Sequence, residues 1–163
     1  MATPNIVMTR VDERLVHGQG QLWIKSLGCN TVIVANDKVS EDKIQQTLMR
    51  TVVPDSVAMR FFSLQKVIDV IYKANPAQTI FLIVKDLSDA LTLVKGGVPI
   101  TELNIGNIHN APGKMQVTRS IFFGSEDKAA VKELSDVYKV RFNTKTTPSG
   151  NDGAIEVNVL DYI

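Results

Sequence analysis

Short β-branched and aromatic runs recur along the chain, with helical patterns between them. The runs are Ile6 to Met8, Thr31 to Ala35, Ala58 to Phe62, Thr79 to Val84 and Glu102 to Ile105, then Ser120 to Phe123 and Val140 to Asn143. They are continuous rather than alternating, as expected of strands covered on both faces. Gln19 to Leu27 reads as the first helix. Ser40-Glu41-Asp42 opens a second, a capping serine and first-turn acids preceding Ile44, Leu48 and Met49 on one face. Ser63 caps a third, with Leu64, Val67, Ile68 and Ile71 at helical spacing. Ser88 precedes Leu91 and Val94 in a fourth, which Gly96-Gly97 ends in a left-handed stop. Ser125-Glu126-Asp127 opens a fifth, bearing Val131 and Leu134. This βαβα order predicts an α/β fold: a single-domain, doubly wound, mostly parallel sheet with helices on both faces. The tail from Ser149 to Ile163 stays open between strand, helix and partner-binding extension, although Ile155, Val157 and Val159 alternate as a strand would.

Composition narrows the function classes. With 163 residues the chain fits one domain, 1–163, and its 44% hydrophobic and 21% charged residues are ordinary for a globular protein. A net charge of +1 without a dominant basic block argues against nucleic acid as a partner. The single Cys29 allows no internal disulfide and reads as a small buried residue. No signal peptide is recognisable, and the longest apolar run, Ile80 to Val84, is far short of the ~20 residues that span a bilayer. A cytoplasmic protein is expected, membrane-associated only through partners.

The candidate chemistry gathers in Arg10-Val11-Asp12-Glu13-Arg14-Leu15-Val16-His17-Gly18-Gln19. An imidazole exchanges groups near neutral pH, as proton carrier or nucleophile. Arginines bind phosphoryl oxygens through forked, charge-assisted hydrogen bonds. Gly18, without a Cβ, lets a group approach the backbone closely. If Ile6 to Met8 is a strand and Gln19 begins a helix, His17 lies in a strand-to-helix loop that favours an anion. A hydrogen-bonded structural histidine is the competing reading.

In the doubly wound architecture, sites lie beyond the carboxyl ends of the strands. His17 follows the first strand, Asn36-Asp37 the second and Gly106 to His109 the fifth, so all three are expected on one edge. The Gly113-Lys114 ending resembles a phosphate loop, but Ala111 and Met115 stand where that motif needs glycine and Ser/Thr. No GxGxxG occurs, and His109 has no acid or second histidine at metal-ligand spacing, so neither cofactor nor metal is expected.

The ten-residue loop, with Asn36-Asp37, Asn104-Ile105-Gly106-Asn107 and Gly113-Lys114-Met115-Gln116, resembles the IIB component of the mannose/fructose/sorbose family of sugar phosphotransferase systems. That family carries R-x-D-x-R-L-x-H-G-Q, and every fixed position is present from Arg10 to Gln19. The resemblance covers nearly the whole chain except the tail. It implies that a phosphorylated IIA protein places a phosphoryl group on Nδ1 of His17. The group then passes to a sugar imported by a IIC/IID membrane complex. The stretches Ala35-Asn36-Asp37, Gln45-Gln46 with Leu48-Met49, and Arg60 to Asp69 are most similar to the N-acetylgalactosamine branch. No residue encodes that choice, because this subunit hands over a phosphate.

On this reading His17 is the carrier and Arg14 the first choice for gripping phosphate. Arg10, Asp12, Gly18 and Gln19 complete the phosphate loop, while Asn36, Asp37, Gly106 and His109 are candidates for the pocket rim. Arg10 has the alternative of pairing with an acid, Asp12 of being a turn aspartate, and Gln19 of being a polar first-turn residue. Trp23 reads as a core anchor and Glu13 as exposed and unassigned. Where many members have valine after H-G-Q, this chain has Gly20, which weakens the helix start. A homodimer is compatible with the sequence. The alternatives are a phosphate- or phosphosugar-binding module without covalent chemistry, and an isomerase or hydrolase using His17 as base.

Overall fold

A computed structural model describes residues 3–18, 20–148 and 156–163. The elements run β1 (Asn5–Asp12), α1 (Gly20–Leu27), β2 (Thr31–Ala35), α2 (Lys43–Arg50), β3 (Ala58–Phe62), α3 (Leu64–Val70), β4 (Thr79–Val84), α4 (Leu87–Lys95), β5 (Glu102–Asn107), β6 (Met115–Thr118), β7 (Ile121–Phe123), α5 (Ser125–Asp136) and β8 (Arg141–Asn143). Among the described residues a six-stranded sheet has the order β3-β2-β4-β1-β5-β8, every pair parallel.

Two cores explain why the central runs are continuous. On β2, Ile33 and Ala35 face one apolar cluster while Val32 and Val34 face the other. On β4, Ile80, Leu82 and Val84 alternate in the same way with Phe81 and Ile83. One cluster takes Trp23 and Ile24 of α1 and Met49 of α2; the other takes side chains of α3, α4 and α5. Helices therefore cover both faces of the sheet. Cys29 is buried, and burial pushes its thiol pKa up.

The structure departs from the sequence reading at several places. Val39–Glu41 forms a short 3-10 turn, so Ser40 does not cap α2; Asp42 does, accepting from the Ile44 and Gln45 amides. That entry turns Ile44 and Leu48 to solvent, while Gln46 and Met49 point inward. Gln46 Nε2 donates to the Val39 carbonyl at 2.7 Å, which fixes the rotation of the helix. Asp86, which the sequence reading did not single out, caps α4, while the expected left-handed stop is present at Gly97, φ 95°. The run at Ser120 to Phe123 joins no main-sheet ladder; β7 pairs antiparallel with β6, a strand the pattern did not predict. The tail is not a strand at Val157 and Val159. Val157 donates its amide to Thr144 Oγ1, and Val159–Tyr162 makes a 3-10 turn with Val159 buried. Ile155 lies outside the described residues. No described helix is long and apolar enough to cross a membrane.

Candidate functional site

The strand β1 runs past Met8 to Asp12, four residues beyond its apolar start, and carries buried polar side chains into the interior. Alternation sends Val11 into one core and sets Arg10 and Asp12 on the α1 side. In the turn that follows, Arg14 N donates to Asp12 Oδ1 at 2.9 Å and Leu15 N to the Asp12 carbonyl at 2.8 Å. Leu15 adopts φ 56°, a left-handed conformation costing a branched residue about 1–2 kcal/mol. Burial of Leu15 and Val16 in the apolar cluster around Trp23 holds that turn in place. The reversal brings both Arg14 and His17 back over Asp12. The His17 carbonyl then accepts from Gly20 N at 2.8 Å, starting α1.

Asp12, with no solvent exposure, is the centre of the site. Its Oδ1 accepts from Arg14 Nε at 3.2 Å, and its Oδ2 accepts from His17 Nε2 at 3.0 Å. Arg10 Nη2 and Arg14 Nη2 each approach Oδ2 at 3.4 Å. Burial alone would raise the Asp12 pKa, but hydrogen bonds from His17 and Arg14 with the Arg10 charge bring it down to about 2. At neutral pH the carboxylate has no proton to give, so the bonded Nε2 carries the proton. That assigns the lone pair of the neutral imidazole to Nδ1.

Arg10 occupies a slot rather than the surface. Its guanidinium lies over the Trp23 ring, 5.3 Å from the centroid, with Gly106 against it on β5. Gly106 is skipped in the register, since Val11 pairs with Ile105 and Asp12 with Asn107, so β5 bulges there. Burial lowers the Arg10 pKa from its ordinary value, against the pull of Asp12. Arg14, by contrast, is 38% exposed and presents its guanidinium toward solvent beside His17.

The remaining rim candidates separate. Because β5 neighbours β1, the Gly106 to His109 segment reaches the site: Glu13 N donates to the Asn107 carbonyl at 3.0 Å, and His109 Nδ1 lies 2.8 Å from Glu13 Oε2. Glu13 is thus half-buried and in contact with His109, not the exposed residue its sequence position suggested. Asn107 Oδ1 is buried with no hydrogen-bond partner among the described residues. With β4 between β1 and β2, Asn36 and Asp37 follow a strand two positions from β1. Asn36 Oδ1 accepts from Val39 N, and Asp37 Oδ1 from Leu64 N at 2.9 Å, so both organise their own loop and α3. A Cβ at Gly18 would meet nothing within 4 Å, which leaves open space beside His17. Gln19 lies outside the described residues. Lys114 pairs with Asp127 at 3.3 Å. Among the described residues no three His, Cys, Asp or Glu side chains group to hold a metal ion.

A family model described as the PTS system sorbose subfamily IIB component matches residues 6–160. The chain belongs to that family. It is 50% identical to the N-acetylgalactosamine-specific phosphotransferase enzyme IIB component 2 of Escherichia coli K12 over 132 residues, 80% of this chain and 84% of the relative. The sorbose-specific EIIB component of Klebsiella pneumoniae is 34% identical over 97% of this chain and 94% of its own length. A crystal structure of an N-acetylgalactosamine IIB component from Streptococcus pyogenes superposes with a TM-score of 0.95 at 65% identity, covering 100% of both chains. This IIB is accordingly a phosphocarrier of a sugar phosphotransferase system, a transferase whose phosphoryl group ends on an imported sugar.

Proposed function

We propose that His17 carries the phosphoryl group of this IIB on Nδ1, with Arg14 gripping its oxygens. The observation that carries this reading is the 3.0 Å bond from Nε2 to the buried Asp12 carboxylate, which turns the lone pair of Nδ1 into the nucleophile. In the first transfer the donor's P–N bond breaks and its electron pair returns to the donor ring. The Nδ1 lone pair of His17 forms the new P–N bond while the proton stays on Nε2, hydrogen-bonded to the Asp12 carboxylate. The ring gains positive character as that bond forms, and the adjacent carboxylate offsets it. Arg14 supplies the exposed charge for the phosphoryl oxygens, and Gly18 leaves room for them. Arg10 then serves Asp12 rather than phosphate, because its guanidinium is committed between Asp12, Asn104 and Trp23. Gln19 keeps its place in the phosphate loop from the family signature.

The donor is a phosphorylated IIA protein and the recipient a sugar held by a IIC/IID membrane complex, with residues 1–163 acting as one transferase unit at the cytoplasmic surface. N-acetylgalactosamine is the proposed sugar, supported by the names of the similar Escherichia coli and Streptococcus pyogenes proteins. The test is labelling from phosphoenolpyruvate through the general enzymes and IIA, comparing the parent, His17→Ala and His109→Ala. Acid-labile, base-stable label lost only in His17→Ala supports the reading. A parent that an active donor leaves unlabelled removes it and makes the chain a phosphate-binding module.

A further inference from the structure

A row of polar side chains crosses three strands behind the site. Arg10 of β1, Asn104 of β5 and Asn143 of β8 are successive register partners, so their side chains stand side by side on one face. Asn104 is 1% exposed. Its Oδ1 accepts from Arg10 Nη1, and its Nδ2 donates to Asn143 Oδ1 at 2.6 Å and to the Lys145 carbonyl at 3.0 Å. Asn143 Nδ2 in turn donates to Glu102 Oε2 at 3.3 Å, while Asn143 Oδ1 also accepts from Lys145 N at 3.3 Å.

The direction of every bond in this row is determined. A backbone carbonyl can only accept and a backbone amide can only donate. Lys145 therefore orients both amides: its carbonyl demands the Asn104 NH2, and its N–H demands the Asn143 oxygen. With its NH2 committed, Asn104 must present Oδ1 to Arg10. An amide turned the other way would set its NH2 against a guanidinium that has only donors. Arg10 held by Asn104 at one nitrogen presents the other to Asp12 Oδ2, the oxygen that accepts from His17 Nε2.

We propose that Asn104 is a positioning residue for phosphoryl transfer: backed by Asn143 and Lys145, it orients Arg10 and Asp12 so that the His17 proton stays on Nε2. This rests on His17 being the carrier. It extends the site to β8, on which the R-x-D-x-R-L-x-H-G-Q segment has no residue. Asn104 touches neither partner nor phosphate, so its loss acts through the imidazole.

The test pairs 15N NMR of the His17 ring with transfer kinetics from phospho-IIA. The parent should show Nε2–H and a lone-pair signal at Nδ1. In Asn104→Leu the Nδ1–H form should rise to a substantial fraction. The kcat for phosphoryl acceptance should fall on the order of tenfold, with the KM for IIA unchanged. Asn143→Ala, at the half-buried edge of the row, should shift both readouts the same way by less. It keeps the test decisive if Asn104→Leu fails to fold. A folded variant with parental ring signals and parental kcat overturns the proposal. A parent showing the Nε2–H form that no active donor labels would instead overturn the carrier role and leave the hydrogen-bonded row standing.

Discussion

Replacing Gly106 with alanine puts a methyl group into the slot that holds the Arg10 guanidinium. The added Cβ would lie 2.7 Å from Arg10 Nε and nearer still to Cζ and Nη2. Such contacts settle at about 3.5–4.0 Å, so the guanidinium must move by roughly 1 Å. Its room to move is limited, because the Trp23 ring packs against it with the centroid 5.3 Å away. Its approach to Asp12 is already 3.4 Å, and a displacement of that size breaks it along with the bond to Asn104. Hydrogen bonds to charged groups contribute about 1.5–3 kcal/mol each, and the displaced charge stays buried. Gly106→Ala is therefore expected to lose roughly 2–4 kcal/mol of unfolding free energy, measured by urea denaturation. Asp12 loses one of its anchors, and a misplacement near 1 Å costs on the order of 100-fold in rate, measured by rapid quench with phospho-IIA. A variant within about 0.5 kcal/mol of the parent, transferring at the parental rate, would refute the slot argument.

Three further expectations follow from the same geometry. Arg14→Ala should slow phosphoryl acceptance by about 10- to 100-fold and cost about 1–2 kcal/mol of stability, because its Nε bond to the buried Asp12 is lost while the 38% exposed side chain is partly screened; parental kinetics would remove Arg14 from phosphate binding. Asp89 has its pKa raised to about 6, first by burial and then by Asp86 and Asp37. The folded state thus binds the extra proton between the unfolded value near 4 and about 6, and stability falls as pH rises through that window. Asp89→Asn should be more stable than the parent at pH 7.5, by about 1 kcal/mol, and lose that advantage by pH 4; thermal melts at both pH values check the sign. At Gly20 a Cβ meets only Val16 Cγ1 at 3.8 Å, an ordinary contact. Gly20→Ala should raise stability by about 0.5–1 kcal/mol, and a drop in Tm would show that the helix start needs glycine.

What was legible in the chain was what depends on local pattern. The bounds of β2, β3 and β4 coincide with their apolar runs; β2 and β4, in mid-sheet, alternate between two apolar cores. At β1 the pattern stopped at Met8, because Thr9, Arg10 and Asp12 look like a loop until their buried partners are known. The cap at Asp42 was misassigned to Ser40, since both residue types accept from helix amides and spacing alone does not choose between them. The signature marked Asp12, Arg14 and His17, but the left-handed turn at Leu15 that gathers them lies on an ordinary apolar residue. Asn104 was visible only within a predicted strand and a resembling segment, and Asn143 only as the end of a predicted strand. Their meaning depends on the β1-β5-β8 register, which joins residues 94 and 39 positions apart. The Glu13–His109 pair was missed for the same reason, since only the adjacency of β1 and β5 brings it together.

If Asp12 holds the proton at Nε2, the phosphoryl group arrives on Nδ1 of His17. Nitrogen–phosphorus coupling in the NMR spectrum of the 15N-labelled protein, phosphorylated by its IIA donor, tests it most directly. Phosphorus should couple to Nδ1 of His17, with Nε2 still protonated. Phosphorus on Nε2 of His17, or on His109, would contradict it.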